Sequence, residues 1–475
     1  MNRREFICKG TAAAAVTGFT AAPAIGGGAD KLALFGGTPV FSAAARKPLG
    51  DLFAWPIVNE AMRKANDLVL VQRKMSGTDV ADEFERKFAA WNGTKYASSA
   101  VNGTASLLAA FYAVGLGPGD ELICPSITYW ASCLGAIHLG ATVVFCDVKS
   151  EDLTADPASI EAHITPRTKA IVIVHLYGAP CDMDPIMAIA KKHGLKVIED
   201  VSHAQGGSYK GRRLGTIGDC GAMSLMTGKS FAIGEGGMFV TNDEELYRRV
   251  VRWGQYERIG RVYKPEETAR TKLLPIGGAK NRLNQCSAAI GLEQLKKYDA
   301  EREEIERAML YYWDGIRDVK GLRKMYPSYA DSNKAGWYYS RGAYDAAAFG
   351  GLPAETFCAA LNAEIGEPYY DTGVNFPLHT SSLFDDEDLF ATGRPPGRRH
   401  LPEGVTPAQL TGRLPVAESR AGRIVGDPWF KHLDKPCIDR FVEAVHKVAA
   451  NAEALKAWKP AAEEPKTLPG WNRKS

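Results

Sequence analysis

The chain has 475 residues, 45% hydrophobic and 24% charged, usage that supports globular packing in two or three units and excludes a disordered or fibrous bulk. Its 58 Lys and Arg residues nearly cancel 55 Asp and Glu, leaving a formal net charge of +3. That balance argues against nucleic acid or an acidic membrane as the main partner.

Arg3 and Arg4 precede an alanine-rich apolar run from Thr11 to Phe19 and then Ala22-Pro23-Ala24. This predicts a twin-arginine export signal within residues 1–29, cut after Ala24, and an exported or periplasmic protein. A disordered basic terminus on a cytoplasmic protein is the alternative. No run reaches the roughly 18 apolar residues of a membrane span. Nine cysteines at 8, 124, 133, 146, 181, 220, 286, 358 and 437 form no C-x-x-C pair, so a disulfide framework or a zinc site is disfavoured.

From Ser76 to Lys297 short apolar runs alternate with helical patterns, the signature of a parallel sheet covered by helices. Strands are expected at 121–124, 142–146, 169–175, 196–199, 220–226 and 237–241. Helices are expected at 104–115, 129–139, 157–163, 183–193, 244–254 and 287–298. A charged helix from Ala300 to Val319, helices over 354–365 and 437–458, and a Pro-rich stretch from Asp385 to Arg413 follow. These divide the chain into an α/β unit at 30–299, a smaller α+β unit at 300–460 with 385–413 as an excursion or lid, and a loose tail at 461–475.

Four segments carry chemistry. Asn102-Gly103-Thr104 opens a helix whose positive end suits an anion. Asp200 closes a buried strand, where ligands of open parallel sheets sit, with His203 three residues on. Lys229 leaves an apolar strand for a glycine-rich turn, where partial burial lowers an amine's pKa and fits it for an imine. Ser224 offers a hydroxyl to a phosphate. In Cys124-Pro-Ser-Ile-Thr-Tyr129-Trp130 an aromatic at a helix start can cover a planar ring. Taken singly, each has a plain structural reading: a helix cap, a strand-end cap, a snorkelling surface lysine, a core aromatic.

Together they resemble the DegT/DnrJ/StrS sugar aminotransferases, pyridoxal-phosphate enzymes of fold type I. The likeness runs from Gly36-Gly37-Thr38-Pro39-Val40 to the last helix. It is most specific at Asn102-Gly103-Thr104, Leu116–Glu121, Val174-His-Leu-Tyr-Gly178, Ile198-Glu-Asp200, Gly234-Glu-Gly-Gly237 and Ala288–Leu295.

The resemblance implies that Lys229 binds pyridoxal 5'-phosphate as an imine, Asp200 pairs with the ring nitrogen, and His203 contacts the phenolic oxygen. Tyr129, rather than Trp130, stacks on the ring, and Gly103, Thr104 and Ser224 hold the phosphate. It also implies a homodimer in which a neighbouring subunit adds a phosphate ligand, Lys280 or, with the alignment moved by one, Asn281. His379 matches a histidine near the substrate mouth, with a loop histidine of no role as the alternative.

The implied reaction moves an amino group from glutamate or glutamine to a keto sugar or keto cyclitol, with Lys229 shuttling the proton. Gly36-Gly37-Thr38-Pro39-Val40 followed by Trp55-Pro56 resembles the branch acting on inososes and aminohydroxybenzoate precursors more than the nucleotide-sugar branch. A sugar dehydratase, in which histidine replaces the lysine, and a non-catalytic sugar-binding module are the competing readings.

Overall fold

A computed structural model describes residues 31–459 apart from 47, 48, 390 and 421. The expected export signal and the tail from 461 lie outside the described residues. No described helix is long and apolar enough to cross a membrane, and the eight described cysteines carry free thiols.

Seven strands form the main sheet: β1 (Tyr96–Ala100), β2 (Glu121–Pro125), β3 (Thr142–Cys146), β4 (Thr168–Val174), β5 (Lys196–Asp200), β6 (Cys220–Ser224) and β7 (Gly237–Thr241). Their order is β1-β7-β6-β5-β4-β2-β3. Pairing is parallel from β6 to β3, whereas β7 runs antiparallel to both β6 and β1.

The apolar runs follow from burial on both faces. Along β4, Ala170, Val172 and Val174 enter one core while Ile171 and Ile173 enter the other. Burying each such branched side chain contributes roughly 1.5–3 kcal/mol. Strand β1 is absent from the expected set because Tyr-Ala-Ser-Ser-Ala lacks an apolar run. It is nonetheless buried from Ala97 onward.

Eight helices matter for the site: α1 (Glu60–Val71), α2 (Asp79–Asn92), α3 (Gly103–Ala113), α4 (Met183–His193), α5 (Glu244–Gly254), α6 (Gln285–Gly315), α7 (Ala354–Ile365) and α8 (Lys435–Ala450). The two helices expected on either side of residue 299 are one, α6, because neither glycine nor proline interrupts Lys296 to Arg307. Its first half packs on α1 and α2. Its second half gives Ile305, Met309, Tyr312 and Trp313 to a C-terminal core with Phe357, Leu361, Phe441 and Val445. The division expected at 299/300 therefore falls inside a helix. Leu32, Leu34 and Phe41, from the segment expected in the large unit, also belong to this C-terminal core.

A second sheet of β8 (Leu322–Lys324), β9 (Arg341–Tyr344) and β10 (Ile424–Gly426) is antiparallel throughout. The 385–413 stretch lies along the edge strand β3. Thr142 Oγ1 donates to Gly397 O at 2.8 Å, and the Phe145 N–H donates to Thr411 Oγ1 at 3.1 Å. The stretch expected as an excursion or lid thus covers a sheet edge, which otherwise presents unpaired backbone groups.

Candidate active site

Strands β4, β5 and β6 end at Val174, Asp200 and Ser224, and all three residues line one cavity of about 460 Å³. It opens beyond the carboxyl ends of the parallel strands, as the topology requires.

The start of α3 forms one wall. Asn102 caps the helix, its side-chain oxygen accepting the Ala105 N–H at 2.9 Å, and Gly103 and Thr104 line the cavity. Glycine is needed at 103 because β6 passes so close: a Cβ there would stand 2.6 Å from the Ser224 Cβ. Helix terminus and serine hydroxyl together make an anion cradle.

Asp200 is buried. Its Oδ2 accepts the Ser132 hydroxyl at 2.7 Å and its Oδ1 accepts the Ser202 N–H at 3.0 Å. Both bonds fix its direction. Its neighbour Glu199 has a different job. The buried Glu199 carboxylate accepts the N–H groups of Gly215, Ile217 and Gly218 and lies 3.0 Å from His175 Nε2, holding the loop between β5 and β6.

His203 is buried, and its Nδ1 accepts the Tyr177 N–H at 3.3 Å. A backbone N–H can only donate, so the neutral ring carries its proton on Nε2. Burial, reinforced by the Lys229 cation, pushes its pKa well below the ordinary histidine range and keeps it neutral. Its ring lies 4.7 Å from that of Tyr338.

Lys229 is 9% exposed. Its backbone is fixed at both ends, N–H donating to Met226 O at 2.9 Å and O accepting Trp55 Nε1 at 3.0 Å. Burial lowers its pKa to about 8, opposed by the Asp200 carboxylate. Roughly a tenth of the amine is therefore free at pH 7, against well under a hundredth for an ordinary lysine. Gln205 ties the loops together: its Nε2 donates to Ser224 O at 2.6 Å and its Oε1 accepts the Ser230 hydroxyl at 2.7 Å.

Tyr129 lines the cavity and is 52% exposed, whereas Trp130 is not among its lining residues. The site expectations for Gly103, Thr104, Tyr129, Asp200, His203, Ser224 and Lys229 thus converge on one cavity. Lys280 does not line it; its side chain is 59% exposed, 3.6 Å from Glu257. Asn281 is buried, its N–H donating to Gly254 O at 2.9 Å. His379 is also outside the cavity, its Nδ1 bonded to the Ser126 hydroxyl at 2.7 Å. There it secures the end of β2.

Tyr177, Tyr338, Tyr339, Asn375, Ser132 and Ser202 are additional wall residues. Tyr177 and Ser202 lie within segments that the sequence singles out, Val174–Gly178 and the stretch from Asp200 to His203. Tyr338, Tyr339 and Asn375 come from loops between the two units, where no periodic pattern marks them.

The cavity therefore offers an amine, a fixed carboxylate, a neutral imidazole donor and an anion cradle. Pyridoxal phosphate demands each of these: an amine for its aldehyde, a carboxylate for its ring nitrogen, a donor for its phenolic oxygen and a cradle for its phosphate.

Comparison with known proteins agrees. A model of the DegT/DnrJ/EryC1/StrS aminotransferase family matches residues 57–446. An L-glutamine:2-deoxy-scyllo-inosose aminotransferase of Streptoalloteichus tenebrarius is 34% identical over 447 residues, 90% of this chain and 99% of its own. One of Streptomyces lividus is 35% identical over 352 residues, 72% and 79%. Among solved structures, an aminotransferase from Psychrobacter cryohalolentis superposes with a TM-score of 0.71 at 30% identity, covering 84% of this chain and 99% of its own. A 3-amino-5-hydroxybenzoic acid synthase gives 0.69 at 26%, covering 84% and 98%.

Proposed function

We propose, from the premise that this chain belongs to the DegT/DnrJ/EryC1/StrS aminotransferase family, that it carries an amino group from glutamine or glutamate to a keto cyclitol of the inosose type. It is a pyridoxal phosphate-dependent transaminase, so the proposal concerns donor and acceptor. The observation that supports the acceptor class is the match over 90% of the chain to a protein named for glutamine and 2-deoxy-scyllo-inosose.

When bound, pyridoxal phosphate supplies an aldehyde that condenses with amines and a ring that accepts the electron pair left on the reacting carbon. Lys229 would hold the aldehyde carbon between turnovers. Its Nζ, free while a substrate amine occupies that carbon, would take the proton from the substrate carbon and return it to the former aldehyde carbon, on the other side of the shared nitrogen. Asp200 keeps a proton on the ring nitrogen, and Ser132 keeps Asp200 in line. His203 donates from Nε2 to the phenolic oxygen. Gly103, Thr104 and Ser224 hold the phosphate, and Tyr129 covers the ring face. The same residues serve both half-reactions, so ping-pong kinetics follow.

A second copy of the chain is part of the proposal. The exposed apolar run Leu273, Leu274 and Ile276, shortly before Lys280, and the half-exposed Tyr129 and Trp130 support it. In a dimer Lys280 or Asn281 of one copy would serve the phosphate of the other. Export through the twin-arginine route is also proposed, on Arg3, Arg4 and the run after them. Fusion of residues 1–40 to a reporter active only outside the inner membrane tests it, and loss of signal in Arg3→Lys/Arg4→Lys is expected.

The functional test is a panel of inososes and keto sugars incubated with glutamine, then with glutamate. Amination of an inosose, dependent on donor, is expected. If donors leave the cofactor spectrum unchanged and no acceptor is aminated, the proposal fails.

A further inference from the structure

The segment Lys334–Arg341 runs between the two units and supplies Tyr338 and Tyr339 to the cavity wall. It is strained. Ala335, Trp337 and Tyr339 have φ of 57°, 53° and 50°, a left-handed region that residues with a Cβ seldom adopt and hold only where their surroundings over-determine it. Between them Gly336 lies against Ser230, next to Lys229, and a Cβ there would stand 2.4 Å from the Ser230 Cβ. The result is that Lys229 Nζ sits over the Tyr338 ring, 4.2 Å from its centre.

The restraints on this strap come from the C-terminal unit. Asp427, just after β10, is buried, and its Oδ2 accepts the Ser340 hydroxyl at 2.8 Å and Trp313 Nε1 of α6 at 3.0 Å. Trp429 Nε1 donates to Gly336 O at 2.8 Å. Arg341 stacks on the Tyr339 ring at 3.7 Å and donates to Asp371 at 2.9 Å. At the strap's start the buried Lys334 ammonium lies 4.7 Å from the Trp337 ring centre. Asp427 grips the strap through a side chain on each side, Ser340 of the strap and Trp313 of α6, as Glu306 of α6 does between Trp337 of the strap and Tyr326. Asp427 does not line the cavity.

We propose that Asp427 is a positioning residue for the reaction: by gripping Ser340 against Trp313 it holds the strap so that the Tyr338 ring stays against the Lys229 amine. A ring face beside an ammonium stabilises its protonated form. The other groups facing Lys229 are the Asp200 carboxylate, which favours the charge, the neutral His203, and Glu235 and Tyr129 on the cavity lining. Loosening the strap therefore removes one of the supports of the Lys229 cation. The inference rests on Lys229 being the reactive amine, and its test reads that amine without any substrate.

The test uses the cofactor-free full chain, labelled with acetic anhydride across a pH series, the Lys229 peptide being quantified by mass spectrometry. Tyr338→Leu should lower the Lys229 midpoint by about half a pH unit, and Asp427→Ala should do the same. The double variant should shift no further, because both changes remove one contact. Asp427→Asn, which still accepts from Ser340, should stay with the wild type; a purely long-range charge effect would shift it as well. If Asp427→Ala shows no cooperative unfolding transition, Ser340→Ala takes its place and should shift the midpoint in the same direction. A folded Asp427→Ala or Ser340→Ala protein with the wild-type midpoint, an unshifted Tyr338→Leu, or a shifted Asp427→Asn would each overturn the proposal.

Discussion

Ser132 donates its hydroxyl to Asp200 Oδ2 at 2.7 Å across 68 positions of sequence. A hydroxyl from the turn after β2 thus fixes the carboxylate at the end of β5. Asp200→Asn keeps the shape but removes the charge that holds a proton on the cofactor nitrogen. A loss in kcat of about 10³-fold is expected, about 4 kcal/mol, with unfolding temperature little changed. Ser132→Ala should cost far less, about tenfold, since the Ser202 N–H remains. Steady-state kinetics on both variants decide this, and a near-neutral Asp200→Asn would remove Asp200 from the reaction.

His203 yields a stability prediction. Its pKa is depressed in the folded chain by burial and by Lys229, whereas the unfolded chain protonates it near pH 6.5. Below that value the unfolded state binds the extra proton, so folding stability falls as pH drops, by up to about 1.4 kcal/mol per pH unit for this group. His203→Gln should flatten the acid side of a stability-against-pH curve by one proton. Denaturant titrations between pH 5 and 7 measure the slope, and an identical slope in both proteins would contradict a neutral buried His203.

Gly103 makes a steric prediction. In Gly103→Ala the new methyl cannot occupy its position 2.6 Å from the Ser224 Cβ, so α3 or β6 must move. The anion cradle opens with it. The dissociation constant for pyridoxal phosphate should rise at least about tenfold, about 1.4 kcal/mol, measured by fluorescence titration of the cofactor-free protein. Unchanged affinity would place the phosphate elsewhere.

Thr411→Ala separates fold from site. It removes the acceptor of the Phe145 N–H at the β3 edge and should cost about 1 kcal/mol of stability, more if the N–H is left dry. Turnover should be unaffected, because the edge lies away from the cavity. Thermal unfolding and kcat on one preparation check both halves, and a fall in turnover without a fall in stability would restore the lid reading of 385–413.

The sheet was legible in the sequence wherever a strand is apolar on both faces, as in Thr168–Val174, because dual burial leaves a continuous branched run. Tyr96–Ala100 was not, since its small residues are selected by close packing rather than by hydrophobicity. The residues from Gly103 to Lys229 could be named because each sits at a strand end or helix start, where local pattern and chemistry coincide. Tyr338 and Asn375 lie in loops whose course depends on the other unit. Among the described residues three lysines, Lys229, Lys334 and Lys431, are buried with depressed pKa values. Burial alone does not choose among them. Only Lys229 lines the cavity that Asp200 and His203 share.

The account turns on that choice. Borohydride reduction of the cofactor-loaded protein, followed by peptide mapping, fixes the cofactor to whichever amine holds it. The account predicts a pyridoxyl adduct on the Lys229 peptide and none there in Lys229→Ala, which should also lose turnover. An adduct on Lys334 or Lys431, or no adduct in protein that has bound the cofactor, would contradict it.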